Sequence, residues 1–150
     1  LYAVESPFVD NVKDLPYTIE ELVGQMKDSI RRMQPRGPYF LGGCSLGSVL
    51  TYEVAKQFAT EGEKVGGLML LDPIRSLTGT ETDDALESHA VKLGKAVEAY
   101  QPIGFAGGSQ PQHACLVWSG TERTHDEQED WRRVLQSSNF HSFTLGECSK

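Results

Sequence analysis

One segment of the sequence constrains the fold more than any other. Residues Val65 to Leu71 form an almost uninterrupted apolar run that ends at Asp72. Such a run, without polar alternation, is typical of a strand that is covered on both faces in a parallel sheet. Strand-like and helix-like segments alternate on either side of it, from Tyr39–Leu41 to Phe140–Leu145. The sequence therefore predicts an α/β fold, a mostly parallel sheet flanked by helices.

The remaining elements are predicted from periodicity and capping signals. Thr18 and Glu21 form a capping-box pattern, and apolar residues at helical spacing follow it. The further predictions are a strand at Tyr2–Val4, helices at Thr18–Met33, Ser48–Phe58, Leu86–Tyr100 and Asp126–Leu135, and a strand at Ala114–Trp118.

Length and charge limit the function classes. A chain of 150 residues predicts a single domain, 1–150. Its 14 basic and 21 acidic residues give a net charge of −7, which disfavours nucleic acid or an anionic membrane as a partner. No apolar run approaches the roughly 20 residues that span a bilayer. Cys44, Cys115 and Cys148 are irregularly spaced and form no CxxC motif, which favours unpaired thiols in a cytoplasmic protein.

A glycine-rich turn carries the strongest chemical signal. Gly43, Ser45 and Gly47 form a G-x-S-x-G pattern between a predicted strand and a predicted helix. A nucleophilic serine in such a turn has strained backbone geometry and an exposed hydroxyl at the carboxyl edge of the sheet. We expect both glycines to be needed because a Cβ would collide with the neighbouring strand or helix. The Leu46 amide, at the helix N-terminus, would point at a developing oxyanion.

Two other interpretations of this turn are a plain glycine-rich loop and a phosphate-binding loop. The second is disfavoured because the segment lacks the lysine of the G-x-x-x-x-G-K-[ST] pattern.

Asp72 is the candidate acid that would accompany Ser45. It directly follows the Val65–Leu71 run. Because a βαβ unit places consecutive parallel strands side by side, we expect Asp72 to lie within reach of Ser45. The alternative is a solvated aspartate that begins a turn with Pro73.

The segment Gly37–Gly47 resembles the nucleophile region of thioesterase domains that end polyketide, fatty-acid and nonribosomal-peptide assembly lines. Tyr52–Ala55, Gly62–Val65 and Leu68–Asp72 continue that pattern in register, and Tyr2–Phe8 resembles the upstream segment of fungal polyketide synthases. The resemblance implies an α/β-hydrolase fold, with a lid-like segment at about 78–112.

The resemblance also implies an activity. A carrier protein would deliver an acyl thioester on its phosphopantetheine arm, the acyl group would pass to Ser45, and hydrolysis or cyclisation would release it. It implies no cofactor bound by the domain itself. The expected partners are an acyl carrier protein or upstream synthase domains. The alternatives are a non-catalytic hydrolase-like interaction module with an incomplete triad and a free-standing editing thioesterase.

The base of the triad is the open question. In this fold the chain order is serine, acid, histidine. His141 comes late enough in the sequence for this order. However, it lies near the beginning of the last predicted strand, whereas the family's base follows that strand. Aligned through Trp131, residues 146–148 occupy the place of the family's Gly-Asp-His. Either the histidine lies beyond Lys150, or Cys148 has replaced it, or His141 is the base.

Other departures concern the ends of the chain and the turn itself. The family has a further strand and a glycine-rich oxyanion loop upstream of Leu1, and nothing here matches them. We therefore expect a fold truncated at both ends. Cys44 stands where the family usually has tryptophan, and we expect its thiol to pack as a small apolar group rather than to react.

Overall fold

Most of the chain forms helices and parallel strands. The computed structural model describes residues 1–5, 18–74, 84–106, 110–119, 125–135 and 139–145. Two compact units are present, residues 1–35 with 75–101 and residues 36–74 with 102–150. In chain order the elements are α1 Ile19–Met33, β1 Tyr39–Cys44, α2 Leu46–Thr60, β2 Val65–Leu71, α3 Asp84–Ala99, β3 Ala114–Ser119, α4 His125–Val134 and β4 Phe140–Leu145.

The first unit contains α1 and α3, which contact one another. Helix α1 begins after Thr18, whose side-chain oxygen accepts a hydrogen bond from the Glu21 amide at 3.2 Å, as the capping pattern predicts. The buried residues of α1 are Ile19, Leu22, Val23, Met26 and Lys27, whereas Met33 at the end of the helix is 58% exposed. Helix α3 is the described helix of the predicted lid-like segment 78–112. The single-domain prediction and the lid assignment stay predictions.

The second unit is built on a four-stranded sheet. Its strand order is β1-β2-β3-β4, and all three strand pairs are parallel. Helix α2, the crossover from β1 to β2, packs against both of these strands. The predicted class, an α/β fold with a mostly parallel sheet flanked by helices, is confirmed. Within the described ranges, no helix combines the length and apolar character needed to cross a membrane.

The two faces of the sheet differ in cover. Leu68 and Leu70 of β2 are buried, at 3% and 0% exposure, and they share the face of Gly43, which contacts α2. Met69, which points the other way, is 47% exposed. The expectation that β2 is covered on both faces is therefore wrong for the described residues, because α2 covers one face and no described residue covers Met69 fully.

The N-terminal prediction is also wrong. Residues 1–5 form no strand, and Tyr2 and Val4 are exposed. Residues that favour strands form one only where a neighbouring strand pairs with their backbone N–H and C=O groups. Within the described part of the chain, residues 1–5 have no such neighbour in the sheet.

Tyr52 of α2 joins three segments of the second unit. Its ring lies edge-on to Trp131 of α4, with ring centroids 5.4 Å apart, and its hydroxyl donates to the Ile103 carbonyl at 2.8 Å. Burial and, to a smaller extent, the neighbouring Glu53 carboxylate raise the pKa of Tyr52 well above its usual range. The phenol therefore keeps its proton and remains a hydrogen-bond donor.

Candidate active site

Ser45 is the single residue between β1 and α2. Its backbone lies at φ 53° and ψ −121°, a region that residues with a Cβ rarely adopt. Its amide donates to the Leu71 carbonyl at 2.8 Å, which keeps Ser45 hydrogen-bonded to β2. The hydroxyl makes no capping hydrogen bond to the first turn of α2, all of which is described. The side chain is therefore not engaged by the helix whose N-terminus it precedes.

Pro73 explains why the ladder between β1 and β2 stops at Ser45. In a parallel ladder the next bond would run from the amide of residue 73 to the Ser45 carbonyl. Proline has no amide hydrogen. The Ser45 carbonyl instead accepts from the Ser48 amide at 3.0 Å, which begins the first turn of α2. The chain thus passes from strand to helix at Ser45.

The two glycines of the G-x-S-x-G pattern play different parts. A Cβ on Gly43 would overlap the carbonyl group of Gly47 and lie 2.5 Å from Thr51 Oγ1. A Cβ on Gly47 would meet no described atom within 4 Å. The expectation that both glycines avoid a collision is confirmed for Gly43 and wrong for Gly47. The close approach of α2 to β1 occurs at the strand residue, and Gly47 turns toward open space.

We expect Gly43→Ala to destabilise the second unit by about 3 kcal/mol, because backbone must move to admit the methyl group. The matched variant Gly47→Ala should stabilise it by about 0.5–1 kcal/mol, since alanine is the better helix former and its Cβ has room. Hydrogen–deuterium exchange of α2 peptides in the full-length gene product measures both effects. Equal hydrogen-exchange protection of α2 in the two variants would contradict the different roles of Gly43 and Gly47.

Ser48 is a site residue that sequence reasoning missed. Its side chain is fully buried, and its hydroxyl lies 2.8 Å from both the Gly43 and the Leu71 carbonyls. It shares its single proton between these two acceptors. The first turn of α2 is thereby fastened to the ends of β1 and β2. The available signal was a serine on the buried side of a predicted apolar helix.

Asp72 lies beside Ser45 at the carboxyl edge of the sheet. The register pairs Cys44 with Leu71, so the next residues, Ser45 and Asp72, end neighbouring strands. Asp72 has φ 44°, and it and Ser45 are the non-glycine residues with positive φ within the described ranges. Backbone outliers of this kind persist where surrounding contacts impose them, and they cluster at functional sites. The predicted proximity of the two residues is confirmed, whereas their chemical roles stay predictions.

Leu46 is the first residue of α2. The amides of a helix's first turn have no acceptor within the helix, and they carry the positive end of its dipole. The Leu46 amide therefore lies at the end of α2 that favours a developing negative charge. Its role as the oxyanion donor remains a prediction.

Cys44 is exposed, so the expected packing of its thiol is wrong. Successive strand residues point to opposite faces, and Gly43 faces α2. The Cys44 side chain therefore lies on the face away from α2. Its thiol is accessible but does not share the turn geometry of Ser45.

The described histidines do not lie near Ser45. His141 of β4 is in register with Cys115 and, across the sheet, with Met69 and Gly42. Three strand spacings separate β4 from β1, about 14 Å in all. His113 lies at the opposite edge, where its carbonyl accepts from the Leu68 amide at 3.0 Å. His141 is therefore not positioned as the base.

Cys148, the other alternative for the base within this sequence, lies outside the described part of the chain, and its role stays a prediction.

A family model for the thioesterase domain matches residues 1–104, a stretch that includes Ser45, Leu46 and Asp72. This chain belongs to the thioesterase domain family. The resemblance noted from the turn and its flanking segments is thereby confirmed.

Relatives and solved structures agree with this membership. The non-reducing polyketide synthase ntnG of Nectria sp is 40% identical over 144 residues, which are 96% of this thioesterase domain and 6% of the synthase. The NocB thioesterase domain, solved in covalent complex with a fluorophosphonate nocardicin G analog, is 20% identical with a TM-score of 0.75. That likeness covers 95% of this chain and 70% of the NocB chain.

A more distant structure shares the fold. MGS-MChE2, an α/β hydrolase enzyme from the metagenome of lagoon sediments, is 15% identical with a TM-score of 0.64, over 96% of this chain and 66% of its own. The predicted α/β-hydrolase fold is confirmed. The thioesterase domain spans 7%, 3% and 6% of the length of three curated relatives that it matches.

Proposed function

We propose that this thioesterase domain releases an acyl or polyketide chain from the phosphopantetheine thioester of a carrier protein. One observation carries the proposal: Ser45 lies in a strained strand-to-helix turn beside the aspartate that ends the adjacent strand. That arrangement is typical of a nucleophilic serine in α/β hydrolases. The similarity to a polyketide synthase supports the carrier-bound substrate.

The first half-reaction transfers the acyl group to the enzyme. Ser45 Oγ attacks the thioester carbonyl carbon while an imidazole base takes its proton, and Asp72 orients and stabilises the resulting imidazolium. The Leu46 amide donates to the oxyanion of the tetrahedral intermediate. The C–S bond then breaks, the pantetheine sulfur takes up the proton, and an ester on Ser45 remains.

The second half-reaction frees the product. Water or a hydroxyl group of the chain attacks the carbonyl carbon of the Ser45 ester and gives its proton to the base. The bond between that carbon and Ser45 Oγ breaks, Oγ takes up the proton, and the chain is released by hydrolysis or by cyclisation. This chemistry needs no cofactor bound by the domain, because phosphopantetheine arrives with the substrate. The proposed partners of the domain are an acyl carrier protein or upstream synthase domains, and its proposed location is the cytoplasm.

A fluorophosphonate probe tests the proposal on the full-length gene product. Peptide mapping by mass spectrometry should place the adduct on Ser45, and Cys44→Ala should label as the unsubstituted protein does. An adduct on Cys44 would refute the serine assignment. Absence of labelling at both residues would favour a non-catalytic interaction module.

A further inference from the structure

A single residue holds both oxygens of the Asp72 carboxylate. Ser119, the last residue of β3, donates its amide hydrogen to Asp72 Oδ1 at 2.6 Å, and its hydroxyl donates to Asp72 Oδ2. The two residues end neighbouring strands at the same edge of the sheet as Ser45. Charge-assisted hydrogen bonds of this kind are among the stronger ones in proteins.

The geometry of this contact follows from the strand ladder. The Asp72 amide donates to the Val117 carbonyl at 2.8 Å. A regular parallel ladder would continue with the Ser119 amide donating to the backbone carbonyl of Asp72. At φ 44° Asp72 leaves the strand conformation, and its side-chain Oδ1 takes the place of that carbonyl. The carboxylate is therefore held by the hydrogen-bond pattern of the sheet itself.

The hydroxyl of Ser119 adds what the backbone cannot. The Ser119 amide fixes Oδ1, but the Asp72 carboxylate can still rotate about its Cβ–Cγ bond unless Oδ2 is held as well. A carboxylate has about four acceptor sites, so Oδ2 can accept from Ser119 and from an imidazole at once. The hydroxyl thereby selects the carboxylate orientation that an incoming base would meet.

We propose that Ser119 is a positioning residue of the thioesterase reaction, acting through Asp72. The inference rests on the proposed function. The inference goes beyond that function because it assigns a role to a residue of β3, a strand outside the segment that the family model matches.

The test compares Ser119→Thr with Ser119→Val, two side chains of similar shape that differ by one hydroxyl. The full-length gene product is assayed with an acyl-N-acetylcysteamine thioester. Ser119→Thr should keep the unsubstituted kcat, whereas Ser119→Val should lose on the order of tenfold in kcat, as for one hydrogen bond to a charged group. KM should change little in either variant, because Ser119 acts through Asp72 rather than on the substrate.

Crystal structures of both variants give a second readout. The Asp72 carboxylate should keep its orientation in Ser119→Thr and take a second rotamer in Ser119→Val. If the unsubstituted protein turns over and the two variants have equal kcat values, the inference about Ser119 is overturned and the proposed function is not. Absence of turnover by the unsubstituted protein overturns the proposed function and this inference with it.

Discussion

Ser45→Ala is expected to lower the kcat of chain release by the full-length gene product on the order of 10⁶-fold, as removal of a serine nucleophile does elsewhere. The turn places this one hydroxyl at the carboxyl edge, and no capping bond engages it. With alanine there, the acyl group has no oxygen to which it can be transferred. The change should not disturb the fold, because the Ser45 contacts to Leu71 and Ser48 are made by its backbone.

The matched control for that measurement is Cys44→Ala. Its side chain neighbours Ser45 in sequence but lies on the face away from α2, so kcat should stay within about twofold of the unsubstituted value. Release of product from a carrier-bound chain, followed by mass spectrometry, measures both variants. A large loss in Cys44→Ala together with a small one in Ser45→Ala would show that the thiol is the nucleophile.

The sequence predicted the local parts of this site well. Strand β2 has the predicted bounds, and α2 begins two residues before the predicted Ser48 start. Proximity of Asp72 to Ser45 followed from the handedness and adjacency of a βαβ unit, which needs no knowledge of side-chain contacts. These predictions succeed because strand, turn and helix signals act within short stretches of chain.

The parts that sequence could not predict depend on distant segments. Ser119 meets Asp72 only because β3 lies beside β2, and nothing local to Ser119 marks it. The unequal roles of Gly43 and Gly47 depend on the path of α2 over β1. The exposure of Met69 depends on which face of the sheet the helices cover. Each follows from tertiary packing rather than from a pattern.

Asp72→Asn is expected to lower kcat on the order of 10⁴-fold, the loss found when the acid of a serine–histidine–aspartate triad is neutralised. Asparagine keeps the shape of aspartate, and its carbonyl oxygen can still accept from the Ser119 amide, so the strand ends should remain in place. The negative charge that would stabilise the imidazolium is lost.

His141→Ala is the matched control. Because the strand of His141 lies about 14 Å from β1, the kcat of this variant should change less than twofold. Hydrolysis of an acyl-N-acetylcysteamine thioester measures both variants. A collapse of turnover in His141→Ala, with Asp72→Asn still active, would make His141 the base and remove Asp72 from the site.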